Sequence, residues 1–297
     1  MAIEIRYVDA PLGHQIGGVD LSKHLAEDDF REIEAAFDRY GVIVFRGQIL
    51  TPEGQVDFSR RFGELEVFAL SEFNHPTMSE ILVVSNIVED GRQIGMADAG
   101  RYWHSDMWYT AHPPRGSMLY ALEVPTDGKQ VFGDTMFASM SAAYDALPDR
   151  TKKLLEGRLA TFSYARYLDH KRATLTTESR QGETAQGARE KYWFDDIQHP
   201  IVRIHPRSGR KCLYLSQGVI SEISGLDRQQ SEALVAELEA HVVKPEFVYR
   251  HKWRVGDVVM WDNCAAIHRA VADYSLPFRR HMHRTTIAES SAGPQAA

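Results

Sequence analysis

Cysteine is scarce: Cys212 and Cys264 are the only two in 297 residues. Two cannot build a disulfide framework, so both are expected as reduced thiols of the core. Positive charge is not in surplus either. The 34 basic residues stand against 41 acidic ones, a formal charge of -7, which argues against nucleic-acid or membrane-surface partners that need a basic face. No apolar stretch approaches the roughly 18 residues of a membrane span. Residues Met1 to Tyr7 show no basic segment followed by an apolar run, so no secretory leader is expected and the cytoplasm is the expected compartment. No glycine-rich turn joins a strand to a helix, which excludes the nucleotide-binding folds built on that turn. With no internal repeat and no compositional break, residues 1–297 read as one domain.

What is present is a mixture of helical and alternating patterns. Phe30, Ile33 and Phe37 recur at helical spacing between Glu27 and Tyr40, and Gly41 follows as a stop. Val42–Phe45 is a short apolar strand. Thr51 and Pro52 open a second helix as N-cap and first helical residue, with Val56, Phe58 and Phe62 on its buried face. One further helix is predicted near Ser141–Gly157 and another from Asp227 through Val243. The second half turns to period two. Ile201–Ile204, a turn at Pro206–Gly209 and Cys212–Leu215 predict a hairpin. Phe247–Trp253, Asp257–Trp261 and His281–Ile287 predict more strands. Short strands flanked by helices fit an α+β jelly roll better than a parallel α/β sheet. Lys171–Lys191 is polar and aperiodic, with Gly182 and Gly187, and reads as a lid or a disordered loop.

The chemistry begins at Trp103-His104-Ser105-Asp106. If this stretch is extended, His104 and Asp106 project from one face and can share a metal ion. The spacing alone is weak, because a chain with 13 histidines and 41 acidic residues holds about two such pairs by chance. His268 ends an apolar strand, where a single histidine most often satisfies a local hydrogen bond. Further on, Arg280, Met282 and Arg284 share one strand face. Two guanidiniums on one face need anionic partners unless the strand is a solvated edge. The opposite face, His281 and His283, lacks a carboxylate or cysteine to complete a second metal pair. His104, Asp106 and His268 together make two imidazoles and one carboxylate, the facial triad of non-haem Fe(II) oxygenases. Three positions on an octahedral iron then stay open for a bidentate 2-oxo acid and dioxygen, and an arginine such as Arg280 can hold the acid's far carboxylate.

At this point the chain resembles the taurine dioxygenase / 2,4-dichlorophenoxyacetate dioxygenase (TauD/TfdA) family of Fe(II)- and 2-oxoglutarate-dependent enzymes. The matching segments are Tyr40–Gln48, Phe58–Gly63, Trp103–Asp106, Gly133–Thr135, His199–Pro206, Trp261–Asn263 with His268, and Arg279–Arg284. The resemblance implies a double-stranded β-helix with helices outside, Fe(II) on His104, Asp106 and His268, and O2 as oxidant. It implies that Thr135 and Arg280 hold the distal carboxylate of 2-oxoglutarate, and that Arg284 lies near the cosubstrate and reaches an acidic group of the substrate. The products would be succinate, carbon dioxide and a hydroxylated substrate, which collapses with bond cleavage if the hydroxylated carbon carries a leaving group. Family habit implies a homodimer or higher oligomer.

Departures from the family pattern bear on the substrate. Gly100 stands where taurine dioxygenases have an asparagine, and Glu66–Ala69 replaces a histidine-bearing segment. Taurine itself is therefore not expected. Phe68, Tyr102, Trp108 and Tyr109 are candidates to line an aromatic entrance. The expected substrate is a small organic anion such as an aryloxyalkanoate, a sulfonate or another carboxylate. Two alternatives stay open on the residues alone: a metal-dependent hydrolase or isomerase, and a non-catalytic jelly roll that binds a small acid.

Overall fold

The computed structural model describes residues 3–68, 71–97, 99–174 and 194–289. The first half of the chain contains β1 (Glu4–Arg6), β2 (His14–Gly17), α1 (Glu27–Tyr40), β3 (Val42–Phe45), α2 (Pro52–Arg60), β4 (Leu82–Ser85), β5 (Val88–Glu89), β6 (Arg92–Gln93), β7 (Gly116–Glu123), β8 (Thr135–Ser139) and α3 (Met140–Asp145). Then follow α4 (Asp149–Leu155), β9 (Leu159–Phe162), α5 (Tyr164–Thr174), β10 (Ile197–Pro200), β11 (Val202–Ile204), β12 (Lys211–Leu213) and β13 (Ile220–Ile223). Last come α6 (Arg228–Val242), β14 (Val248–His251), β15 (Val258–Asp262), β16 (Ala266–Ala270) and β17 (His281–Ile287).

Seven strands form the major sheet in the order β1-β2-β3-β15-β7-β17-β4. Every pair in it is antiparallel except β2 with β3. A three-stranded antiparallel sheet, β14-β8-β16, lies against it. Val44, Leu119, Val259 and Met282 of the major sheet share one buried cluster with Phe137 and Ala266 of the smaller one. The opposite face of the major sheet sends Ile43, Phe45, Met118 and Met260 against Phe30, Ile33, Phe37, Phe58 and Phe62 of the first two helical segments. Because β3 and β15 are covered on both faces, they read as continuous apolar runs rather than alternating ones. Each such side chain taken fully out of water contributes about 1.5–3 kcal/mol. The α+β jelly roll expected from the strand pattern is what forms.

Local chemistry explains most element ends. Gly41 closes α1 in the left-handed region at φ 68°, its N–H donating to the Phe37 carbonyl at 2.9 Å. A Cβ there would also come within 2.9 Å of the Ala265 Cβ, so both strain and space call for glycine. Thr51 caps α2 through Gly54 N, and Asp227 with Gln230 makes a capping box at α6. The single helix predicted near Ser141–Gly157 is instead two, α3 and α4, separated at Pro148. Proline lacks the N–H and restricts the residue before it, so the helix cannot run through. Residues 171–174 of the predicted Lys171–Lys191 loop continue α5; residues 175–191 lie outside the described residues. Cys212 and Cys264 are both buried free thiols. Among the described residues no helix is long and apolar enough to cross a membrane.

A buried ion pair ties the β11–β12 hairpin to the core. His205 Nε2 lies 3.0 Å from Asp262 Oδ2, and Oδ1 of the same carboxylate accepts from Cys264 N and Ala265 N. Burial opposes an imidazolium here, but the charge and hydrogen bond of Asp262 outweigh it and push His205 up to about 9. A group raised above its unfolded pKa stabilises fully below that lower value and loses its contribution as pH rises through the folded one. Stability is therefore expected to fall between roughly pH 6.5 and 9, by about 3 kcal/mol from this pair. Urea unfolding across that range should show the slope in the native chain and lose it in His205→Gln.

Candidate active site

His104 and His268 meet across the gap between chain segments as an isolated antiparallel bridge. His104 N donates to His268 O at 3.0 Å and His268 N to His104 O at 2.9 Å. His268 is the central residue of β16. The extended run expected at Trp103–Asp106 stops at His104, and Asp106 already belongs to the turn that leads into Met107 at φ 48°. That turn is held by Asn263, whose Oδ1 accepts from Asp106 N (3.3 Å) and whose carbonyl accepts from Ser105 Oγ (2.8 Å).

The result brings the three side chains together. Both imidazole Nε2 atoms stand 3.8 Å from Asp106 Oδ1, too long for hydrogen bonds. One ligand atom from each residue lies within 4.8 Å of the others, and all three residues are buried. The second oxygen, Oδ2, is occupied by Ser117 Oγ (2.7 Å) and Trp261 Nε1 (3.2 Å). Oδ1 is left facing the imidazoles and Arg284 Nη1, which is 3.2 Å away. His104 Nδ1 must donate to the Tyr102 carbonyl at 2.8 Å, because a carbonyl only accepts. Its Nε2 is then the bare lone pair that a metal ligand requires.

Protonation matches the same use. Burial raises the Asp106 carboxyl, yet Arg284, His268, His104 and the Ser117 hydrogen bond together hold it below the usual carboxylate range. Burial pushes His104 down and takes His268 down to about 3. One carboxylate and two neutral imidazoles are the forms that bind a divalent cation. Among the described residues no other group of three histidine, cysteine or acidic side chains converges in this way. The His281 and His283 face of β17 thus gains no third ligand.

Strand β17 is not a solvated edge, since it lies between β7 and β4. Met282 and Arg284 fall on one face of it, while Arg280, expected on that face, sits one residue before the strand and is only 5% exposed. Its Nε is buried without a hydrogen-bond partner, and no carboxylate pairs with it among the described residues. A buried guanidinium in this state calls for an anion that the described residues do not supply. Thr135, the first residue of β8, is buried beside the same indole, Trp253: its Oγ1 accepts from Trp253 Nε1 at 3.0 Å, while the Arg280 guanidinium carbon lies 6.0 Å from the ring centroid.

The four aromatic candidates do not form one wall. Tyr102 stacks on His104 with centroids 4.7 Å apart, and its hydroxyl accepts from Trp108 Nε1. Trp108 itself is 2% exposed and packs on Phe162 inside the core. Tyr109 is half-buried against Phe194 and Tyr164. Phe68 instead joins the cluster between the two sheets that contains Trp253 and Trp261. Tyr164, Tyr167 and Phe194 went unnoticed in the sequence, although Tyr164 and Tyr167 have the i, i+3 spacing that puts residues on one helix face. Ser117 carried no motif at all, because its role follows only from strand pairing.

Residues 4–286 match the model of the family described as taurine catabolism dioxygenase TauD, TfdA family. The chain belongs to this family. An alpha-ketoglutarate-dependent 2,4-dichlorophenoxyacetate dioxygenase of Burkholderia sp. (strain RASC) is 35% identical over 297 residues, covering 96% of this chain and 94% of the relative. Pentalenolactone F synthase of Streptomyces arenae is 34% identical, with 97% and 96% of the two chains covered. The solved structure of AAD-2 in complex with Mn(II) and N-oxalylglycine superposes with a TM-score of 0.78 at 32% identity, covering 98% of this chain and 99% of that one. This TauD/TfdA member is an Fe(II)- and 2-oxoglutarate-dependent dioxygenase that uses O2. The hydrolase and non-catalytic alternatives give way to that membership.

Outer contacts of ligand residues typically govern metal affinity by 10–100-fold. Ser117→Ala removes one of the two hydrogen bonds to Asp106 Oδ2 and should weaken Mn(II) binding by roughly tenfold or more. Calorimetric titration of the metal-free protein reads this directly.

Proposed function

We propose that His104, Asp106 and His268 hold the iron, that Arg280 and Thr135 hold the far carboxylate of 2-oxoglutarate, and that Arg284 receives an acidic group of the substrate. The observation that carries this reading lies in one stretch of chain. Strand β17 carries Arg284, which touches the triad carboxylate, and Arg280 just before it has no anionic partner among the described residues. The residues fit the cofactor: neutral imidazoles, an ionised carboxylate whose Oδ1 faces both of them, and a buried cation nearby in the sequence at Arg280.

When bound, Fe(II) and 2-oxoglutarate supply oxidative decarboxylation to succinate and carbon dioxide, coupled to hydroxylation of a substrate C–H bond. The protein's part is positional and electrostatic. Ser117 and Trp261 keep Asp106 Oδ2 engaged, so that Oδ1 is the oxygen offered to the metal. Arg280 meets the far carboxylate in a buried site, where a charge-assisted contact is strongest. The apolar wall of Trp253, Trp261 and Phe137 excludes water from that end.

The substrate in this reading is a small aryl-bearing carboxylate, of the kind named for the Burkholderia relative. Half-buried Tyr102 and Tyr109, with Tyr164 and Phe194 behind Tyr109, support a flat ring, and Arg284 beside Tyr109 supports the acid. Sulfonates share the charge and are the second group to screen. The buried reduced thiols support a cytoplasmic setting, and family habit supports a homo-oligomer.

An anaerobic titration of metal-free protein with Fe(II) and then 2-oxoglutarate should give a saturable visible charge-transfer band. Bound iron without that band would overturn the reading. Asp106→Ala and His268→Ala should abolish substrate-dependent succinate formation. Arg284→Leu should raise the KM for an aryloxyacetate by roughly 10–100-fold, the effect of losing a charged hydrogen bond.

A further inference from the structure

Trp253 follows β14 and is 1% exposed. An indole carries a single polar hydrogen and accepts nothing through it. Here that hydrogen goes to Thr135 Oγ1 at 3.0 Å. A threonine hydroxyl that accepts from an indole keeps its own proton free to donate. The same ring offers its face to Arg280, whose guanidinium carbon lies 6.0 Å from the centroid. One side chain therefore governs both groups that meet the far carboxylate of the cosubstrate.

The ring is held in place by a buried chain of polar contacts. His251 packs edge-on against Trp253 with centroids 4.5 Å apart and an interplanar angle of 78°. His251 Nε2 lies 3.1 Å from Asp257 Oδ2, and its Nδ1 lies 3.0 Å from the Tyr249 hydroxyl. Asp257 in turn pairs with Arg46 and accepts from Arg254 N at 2.7 Å. Both His251 and Asp257 are fully buried. These contacts run from Arg46 at the end of β3 to Thr135 at the start of β8, and they leave the indole little freedom to rotate.

We propose that Trp253 is a positioning residue that makes the site selective for a 2-oxo acid with a second carboxylate, by setting Thr135 as a donor and supporting Arg280. This inference rests on the cosubstrate reading given under the proposed function. A structural role alone would weaken all ligands alike, whereas a positioning role acts only on those that carry the distal acid.

The test uses the full chain loaded with Mn(II), without oxygen, in calorimetric titrations with 2-oxoglutarate and with 2-oxobutyrate, which lacks the distal carboxylate. Trp253→Phe should weaken 2-oxoglutarate about tenfold, the size expected for one hydrogen bond to a charged contact. It should leave the affinities for Mn(II) and 2-oxobutyrate as they are. Equal weakening of both acids, or of neither, overturns the proposal. Failure of 2-oxoglutarate to bind the native Mn(II) protein would instead overturn the cosubstrate reading. If Trp253→Phe does not fold, the indole N–H resonance of Trp253 in the Zn(II)-loaded native protein decides. It should move on adding 2-oxoglutarate and stay on adding 2-oxobutyrate; no difference between the two acids overturns the proposal.

Discussion

A carboxylate kept ionised in the interior is the constraint around which this molecule is arranged. Asp106 is 3% exposed, and an isolated buried charge would cost far more than a domain's net stability. Its surroundings answer that cost from three directions: Ser117 on β7, Trp261 on β15 and Arg284 on β17. Three neighbouring strands of the major sheet thus converge on one oxygen pair. The stabilisation is deliberately incomplete, because Oδ1 meets only Arg284 and two distant imidazoles. A divalent cation completes the set.

The second constraint is the mirror image of the first. Arg280 is a buried cation with no anionic partner among the described residues, one residue before the strand that carries Arg284. The triad is thus left able to take a cation and Arg280 able to take an anion. A ligand that chelates a metal at one end and carries a carboxylate at the other satisfies both. That complementarity supports the 2-oxo diacid of the proposed function.

The architecture makes such a site affordable. β3, β15 and β7 are covered by helices on one side and by the β14-β8-β16 sheet on the other, so the triad is surrounded by close-packed apolar side chains. In that low-dielectric setting each polar contact acts more strongly than it would in water. Paired strands also fix side-chain positions more firmly than loops can, which suits residues that must meet within a few ångströms.

Read alone, the residues already specified much of this. The helix at Glu27–Tyr40 with its Gly41 stop, the Thr51 cap, the β11–β12 hairpin and strands β14, β15 and β17 follow from local periodicity and capping, which act over a few neighbours, whereas His268, expected to end a strand, is the centre of β16. The convergence of His104, Asp106 and His268 was legible because metal chemistry restricts residue type. Tertiary structure decided what depends on distant partners. Only sheet order shows β17 to be central rather than an edge, and only packing sends Trp108 into the core and Phe68 to another cluster. Pro148 could have warned of the break between α3 and α4, but periodicity masked it. The roles of Ser117 and Trp253 arise from hydrogen bonds to residues 11 and 118 positions away, and no local pattern encodes a partner at that distance.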